Sequence, residues 1–354
     1  MDIFIKGLGN VSPQHTFAQD SFLEEVVEYN HNALSCIEPN YKDYIDANSA
    51  RRMGRIIKMG VAASMACLKD AGIQQPDAII TGTGLGCIQD TEKFLSSIIE
   101  HGEQLLTPTS FIQSTHNTIS AQIALILKCL QYNYTYVHRG FSFESSLLDS
   151  LMLLREGTAQ HVLLGGADET TPNTFTIMQR LGHWKRQAVS NLNLLAAHSK
   201  GTISGEGASF FLLSNEPAEN NYAKLVSVTT LYKPADYNEI EATITRFLQD
   251  ASLEAKEIDL VLFGLNGDVE GDGIYHHLQQ NYFAQQPATY FKHLCGEYHT
   301  ASSFGLWLAA KMIRHQHIPE VVKLNTFSKM PIRNVLIYNH YRNINHSLIL
   351  LQSC

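Results

Sequence analysis

Six cysteines are the most obvious candidates for nucleophilic chemistry in this sequence: Cys36, Cys67, Cys87, Cys129, Cys295 and Cys354. None belongs to a Cys-x-x-Cys pair, so their spacing indicates neither a zinc site nor a disulfide framework. Cys295 follows Lys292 closely, and a nearby positive charge can lower the pKa of a thiol. Cys87 follows a glycine-rich run at 82–86, but no paired base is apparent for it. Buried free thiols are the simpler interpretation.

Histidines and glycines suggest two other kinds of site, and neither pattern is complete. The chain has 16 histidines, with His276 and His277 adjacent. Neighbouring histidines on a helix diverge, and no HExxH occurs, so we predict no metal site. The glycine run at 82–86 has neither the Walker A nor the GxGxxG spacing, so we predict no cofactor.

The composition is typical of a well-buried globular protein. Apolar residues make up 44% of the 354 residues and charged residues 17%, with a formal net charge of −8. That charge argues against general nucleic-acid binding. A local basic cluster remains at Arg51, Arg52, Arg55 and Lys58, either as a docking patch for an acidic partner protein or as a solvated helix face. No apolar run approaches the ~20 residues that span a bilayer, and the first residues do not resemble a signal peptide, so we expect a cytoplasmic location.

The elements that must position any site alternate between strands and helices. Strands are predicted at 3–5, 78–80, 133–140, 161–164 and 209–213, with helices at 50–71, 118–130 and 145–156 between them. After the polar stretch 214–221 the pattern restarts, with strands at 224–231, 260–263, 334–338 and 347–351 and helices at 238–251 and 301–314. We therefore predict a mixed sheet covered on both faces and built from two similar halves, 1–214 and 215–354.

One corner of the first half is built like a nucleophile site but has no nucleophile. The β-rich run at 133–140 meets the helix predicted at 145–156, whose first-turn N–H groups and dipole favour an anion. Thiol and hydroxyl enzymes place their reactive residue at such a corner. Here that position is Gly140, which has no side chain. His138, Arg139, Ser142 and Glu144 cluster there. They could form a substitute catalytic set, but adjacent strand residues point to opposite faces, so interface hydrogen bonding and helix capping are the favoured roles.

Landmarks along the whole chain resemble those of the β-ketoacyl synthases, which have the thiolase fold. The matching segments occur in family order: 7–13, 51–53, 82–86, Pro108 with 111–117, 165–167, 205–208, Lys292 with Gly296, and Asn345 with Ser347 and Leu348. The resemblance implies duplicated βαβ halves that form five layers, α-β-α-β-α.

Condensing members of that family use one cysteine and two histidines, and this sequence matches none of the three. Local spacing puts the cysteine position at Gly140, the first histidine at Gly264 and the second at Glu297. Lys292, which supports the second histidine in the family, is present. The family's gate phenylalanine corresponds to Tyr341, and the glycines that flank it have become His340, Arg342 and Asn343.

Three losses in an otherwise matching frame resemble the chain-length-factor class, a non-catalytic subunit paired with an active ketosynthase. The 107–117 stretch is most similar to synthase-like proteins of aryl-polyene and flexirubin-type pigment clusters. The resemblance implies a heterodimer, a thioester substrate on an acyl carrier protein docked mainly on the partner, and a subunit that shapes the acyl tunnel. The candidate tunnel or interface residues are Phe111, Ile112, Ser114, His116, Thr118, Tyr136 and His138.

One structural hypothesis and two alternative functions follow from the same residues. Glu297 and Lys292 could form an ion pair that fills the former site. The chain could instead be a divergent condensing or acyl-transfer enzyme that uses Cys87, Ser142 or Cys295. It could also be a homodimeric protein that binds acyl chains.

Overall fold

A computed structural model describes residues 1–17, 22–104, 106–327 and 331–354. The strands are β1 (Phe4–Val11), β2 (Ala78–Gly82), β3 (Tyr132–Tyr136), β4 (His161–Asp168), β5 (Gly207–Ser214), β6 (Ala223–Tyr232), β7 (Leu260–Phe263), β8 (Ala288–Tyr290), β9 (Asn334–Tyr341) and β10 (Asn345–Gln352). The α-helices are α1 (Ala47–Ala50), α2 (Arg55–Ala71), α3 (Ile88–Glu100), α4 (Pro108–Gln113), α5 (Thr118–Leu127), α6 (Ser142–Arg155), α7 (Pro172–Arg180), α8 (Tyr237–Asp250), α9 (Gly273–His277), α10 (Lys292–Cys295) and α11 (Ser302–His315). No helix within these ranges is long and apolar enough to cross a membrane.

The strand order is the same in the two halves of the sheet. The ten strands run β3-β2-β4-β5-β1-β6-β10-β9-β7-β8. The two sets are β1–β5 and β6–β10, counted in chain order. In each set, the second strand pairs in parallel with the third and the fourth strands. The fifth strand pairs antiparallel with the fourth and the first. Among the strands of the described residues, the two sets pair with each other only through a short antiparallel contact between β1 and β6. The boundary predicted at 214/215 falls in the β5–β6 connection, and the division into two domains stays a prediction.

Three hydrophobic clusters arrange these strands and helices into five layers. The central cluster joins α6 and α11 to strands of both halves. A second cluster packs α2 and α5 on the outer face of the first half, and a third packs α8 and α9 on that of the second. Helix α11 is buried on nearly all sides, as expected of a helix enclosed between the two halves of the sheet. The predicted layered α/β arrangement is confirmed.

The helix ends explain where the predicted bounds differ from the structure. Helix α2 begins at Arg55 rather than 50, because Gly54 has an extended backbone that separates it from α1. It ends at the predicted glycine, since Gly72 is left-handed with φ +68°. Helix α6 begins at Ser142, three residues earlier than predicted, so the corner at Gly140 lies directly at its N-terminus.

Candidate functional site

The corner at Gly140 has no space for a side chain. Strand β3 leads into a 3₁₀ turn, Arg139–Phe141, and then into α6. A Cβ atom built on Gly140 would lie 2.6 Å from Cβ of Tyr341, much closer than non-bonded carbon atoms approach. Because the obstructing atom is close to the backbone of β9, the clash cannot be relieved by rotating a flexible side chain. Tyr341 therefore occupies the space above the helix N-terminus.

The neighbouring residues do not form a substitute catalytic set. The Ser142 hydroxyl donates to the carbonyl of Arg139 at 2.8 Å and accepts from the amide of His138 at 2.8 Å, so it is fully engaged in the turn. Glu144 is buried, and its Oε1 accepts a hydrogen bond from Ser347 on β10 at 3.0 Å. Burial raises the pKa of Glu144. Ser142 therefore holds the turn, and Glu144 is bonded within the core. The predicted role of this group in interface hydrogen bonding stays a prediction.

A second position, Gly264 at the end of β7, is also obstructed. A Cβ atom there would lie 2.2 Å from Oδ1 of Asn339 and 2.8 Å from the hydroxyl oxygen of Tyr275. Asn339 lies on β9, the parallel neighbour of β7. The adjacent strand therefore fills the space that a larger side chain at 264 would need.

The third position is filled by an ion pair. Lys292 Nζ lies 2.7 Å from Oε2 of Glu297, and both side chains are buried. The ammonium group also donates to the carbonyl of His340 at 3.0 Å, and Oε2 accepts from Nδ2 of Asn266 at 2.8 Å. The ion pair that the sequence suggested is present. Breaking a pair of this kind by removing one partner typically costs about 3–5 kcal/mol.

The turn that carries Tyr341 is fixed by hydrogen bonds. Arg342 and Asn343 both have positive φ, +58° and +51°. The amide of Asn343 donates to Nδ1 of His340 at 3.2 Å, and Nε2 of His340 lies 3.0 Å from the carbonyl of Gly271. The His340 ring stacks on Tyr275, with centroids 4.6 Å apart, and burial holds its pKa well below the usual value. A glycine-rich turn at this position would be free to move, whereas these contacts hold the turn at 340–343 in one conformation.

Two cavities meet at Glu297. The larger, about 310 Å³, opens in front of Glu297 and Asn266 and is bordered by Trp184, Tyr341 and Arg342. The smaller, about 30 Å³, lies between α7, Tyr341 and His299 and has room for about one water molecule. A still larger cavity of about 430 Å³ lies elsewhere, against α2 and α11, and shares no lining residue with these two.

The comparisons with known proteins establish the family. The model of the β-ketoacyl synthase N-terminal domain matches residues 31–231, more than half of the chain, including the Gly140 corner. The chain belongs to the β-ketoacyl synthase family. No curated protein matches the chain.

Solved structures of this family have the same fold. The ishigamide ketosynthase/chain length factor superposes with a TM-score of 0.80 at 19% identity, covering 100% of this chain and 99% of that one. The ketosynthase ApeO in complex with its chain length factor ApeC, from Xenorhabdus doucetiae, gives 0.78 at 15% identity, covering 100% and 98%. A β-ketoacyl synthase from Burkholderia phymatum STM815 gives 0.77 at 15%, covering 100% and 99%. The predicted thiolase-like fold is confirmed.

The candidate tunnel or interface residues separate into two groups. Phe111 and Ile112 on α4 are exposed, Tyr136 is the last residue of the edge strand β3, and His138 lies two residues beyond it. Ser114 and Thr118 instead donate their hydroxyl hydrogens to the nearby carbonyls of Phe111 and Thr115, and His116 contacts the glycine-rich run at Gly86. Their roles towards an acyl tunnel or a synthase partner stay predictions.

The alternative nucleophiles are in unsuitable surroundings for a β-ketoacyl synthase. Cys87 and Cys295 are both buried, and burial raises the pKa of each thiol far above its usual value. For Cys295 this desolvation outweighs the opposing charge of Lys292. Since the thiolate is the reactive form, neither cysteine is placed for acyl transfer.

The basic cluster at 51–58 is smaller than the sequence suggested. Arg55 forms two 2.6 Å hydrogen bonds to the carboxylate of Glu206, which is almost completely buried, and also pairs with Glu38. Its charge therefore stabilises the fold and does not contribute to a free docking patch. Arg51 and Arg52 remain exposed.

Two groups near the site were missed from the sequence. The carboxylate of Asp168 accepts hydrogen bonds from the amides of Gly84 and Thr300, at 2.8 and 2.9 Å, and so ties the glycine-rich run to the start of α11. His299 packs against Tyr341, with ring centroids 4.8 Å apart, and burial lowers its pKa. The position of Asp168, directly after the Gly165-Gly166-Ala167 landmark, was the available signal; nothing in the sequence singled out His299.

Proposed function

We propose that this chain is a chain-length-factor-type subunit: it does not condense acyl chains itself and pairs with an active β-ketoacyl synthase. The observation that carries the proposal is that the three positions matching the family's cysteine and histidines are not merely substituted but filled. Tyr341 occupies one, Asn339 and Tyr275 occupy another, and the Lys292–Glu297 ion pair occupies the third. A single substitution would leave the other two positions obstructed.

The proposed pairing surface is the open edge of the sheet at β3. Tyr132, Tyr134 and Tyr136 form a row of neighbouring rings along this strand. Tyr132, Tyr134 and Val137 are each 44–50% exposed. An exposed edge strand rich in aromatic residues is a template for pairing with another chain. Leu125, Leu130, Leu148 and Met152, on and next to the adjoining helices, are also exposed apolar residues.

A subunit without its own condensing site can still set product length. If its side chains line the partner's tunnel, one bulky group can stop a growing chain, since each two-carbon unit adds roughly 2.5 Å. A chain that cannot be buried also forgoes about 0.8 kcal/mol per CH₂. We place the substrate on an acyl carrier protein, in a polyene, polyketide or fatty-acid type of pathway in the cytoplasm. The neighbours described as ketosynthase and chain length factor support this assignment by their shared fold.

Co-expression with an intact ketosynthase encoded nearby, with a tag on one subunit only, tests the proposal. We expect a 1:1 complex that extends carrier-bound malonyl units only when both subunits are present. Replacing Cys87 and Cys295 with alanine in this chain should leave elongation unchanged. Elongation by this chain alone would contradict the proposal, as would a stable homodimer that ignores the synthase and co-purifies with lipid.

A further inference from the structure

Glu297 presents one free carboxylate oxygen to the 310 Å³ cavity. All hydrogen bonds of its side chain go to Oε2, from Lys292 at 2.7 Å and Asn266 at 2.8 Å. Oε1 has no hydrogen-bond partner among the described residues. It is also not one of the unpaired polar atoms in them that solvent cannot reach, so part of its surface is accessible. Because Glu297 lines the cavity, this second oxygen is available to a molecule that enters it.

The groups behind Glu297 hold it in one orientation. The side-chain oxygen of Asn266 accepts from the backbone amide of Asp268 at 3.1 Å, and the backbone amide of Asn266 donates to the Asp272 carboxylate at 3.1 Å. Lys292 is completely buried and bonded to the carbonyl of His340. A carboxylate with one oxygen fixed by a cation and an amide, and the other directed into a cavity, has the arrangement required of a general base.

A hydrogen-bond donor without a partner lies beside the same cavity. The indole N–H of Trp184 is enclosed and has no partner among the described residues, and Trp184 lines both cavities next to Glu297. Leaving such a donor unpaired costs about 1–3 kcal/mol, unless a bound group supplies the acceptor. The site thus combines a base with a donor suited to a carbonyl oxygen.

We propose that this cavity hydrolyses acyl thioesters, with Glu297 as general base and water as the nucleophile. The thioester substrate rests on the proposed function. Glu297 takes a proton from water as the water oxygen bonds to the carbonyl carbon, and Trp184 donates to the carbonyl oxygen. The carbon–sulfur bond then breaks, and the proton on Glu297 passes to the thiolate, giving a free acid and a thiol. The subunit would thereby release stalled acyl chains.

The test uses the complex with a synthase partner whose catalytic cysteine is replaced by alanine. The substrate is an acyl N-acetylcysteamine thioester, and the readout is free thiol released with time. We expect Glu297→Gln to reduce the rate about 100-fold, the usual contribution of a general base, and Glu297→Asp to reduce it less. The matched control is Glu254→Gln, at an exposed carboxylate far from the cavity.

Trp184→Phe separates chemistry from folding. The substitution keeps an aromatic ring and removes only a donor that bonds to no described protein group, so a purely structural role predicts no loss of hydrolysis. We expect a loss of about 10-fold or more, as for removal of an oxyanion donor. No hydrolysis above the buffer rate, or hydrolysis unchanged in both Glu297→Gln and Trp184→Phe, would overturn the inference. If the complex with the intact synthase forms and elongates but the complex with the cysteine-to-alanine partner does not hydrolyse, only this inference is refuted, whereas failure to form the complex refutes the proposed function.

Discussion

The third strand of each half, β3 or β8, lies at an outer edge of the sheet. One of these edges is exposed, and the other is covered by the chain. Strand β3 is exposed along most of its length, and its Tyr132 and Tyr134 side chains face solvent. Strand β8 is fully buried, and the segment 320–325 runs along it. Leu324 donates its amide to the carbonyl of Ala288, and Asn325 accepts from the amide of Ala288, both at 2.9 Å.

The two helix starts also differ. In the first half, the turn before α6 contains Gly140, which Tyr341 covers, whereas in the second half the approach to α11 carries a buried ion pair. A repeated topology therefore does not imply repeated roles. One half presents its edge for contact with another chain, and the other is closed by its own residues and holds the charged groups.

Removing the Glu297 carboxylate in the second half should have the largest effect on stability. Glu297→Ala leaves the buried Lys292 ammonium without its counter-ion, and we expect the free energy of unfolding to fall by about 3–5 kcal/mol. Chemical denaturation measures it. The double variant Lys292→Met with Glu297→Met should be close to neutral, because no charge remains buried. Equal destabilisation by the single and double variants would show that packing, not charge, dominates.

A charge on the open edge should disrupt pairing. Tyr134→Asp places a carboxylate within the proposed interface, and we expect the complex with the synthase to weaken about 100-fold, equivalent to loss of a hot spot above 2 kcal/mol. Titration calorimetry measures the affinity, and thermal unfolding of the single chain should change little. Tyr232→Asp, at an exposed tyrosine of β6, is the matched control. Wild-type affinity in Tyr134→Asp would locate the interface elsewhere.

The closed edge depends on one asparagine side chain. Asn325 accepts from the amide of Ala288 and donates to the carbonyl of Gln286 at 3.1 Å. Asn325→Ala leaves both groups unpaired, and we expect a loss of about 1–3 kcal/mol in unfolding free energy without weaker binding to the synthase. Asn220→Ala, at an exposed asparagine, is the control. A change in affinity for the synthase would contradict the division of roles between the edges.

The smallest expected effect is on the pH dependence of stability. Burial raises the pKa of Glu144 above its usual 4.5, so the folded state holds this proton more tightly than the unfolded chain does. Its contribution to stability is complete below about pH 4.5 and is lost as the pH rises through the folded-state pKa. Glu144→Gln should remove this decline. Denaturation midpoints of both proteins across the pH range test it, and parallel curves would exclude Glu144 as the cause.

The sequence was informative where the relevant residues are close together in the chain. Lys292 and Glu297 are five positions apart on either side of a short turn, so their pairing could be anticipated. The repeated alternation of strands and helices predicted the layered sheet, because hydrophobic periodicity is a local property. That Gly140 and Gly264 correspond to lost catalytic positions stays a prediction.

What the sequence did not reveal depends on contacts between distant segments. The obstruction of Gly264 by Asn339 arises from the parallel pairing of β7 with β9, and that of Gly140 arises from the end of β9. Arg55 was read as part of a surface patch because its partner Glu206 is 151 residues away. Pairings of this kind follow from the tertiary fold, not from local spacing.

The covered edge at β8 also limits stoichiometry. A subunit with two open sheet edges could add further copies at both ends and grow into a filament, whereas a subunit with a single open edge is saturated by one neighbour. Assembly through β3 should therefore stop at two chains. When the synthase is absent, the same edge remains available, and a second copy of this chain is the natural competitor for it.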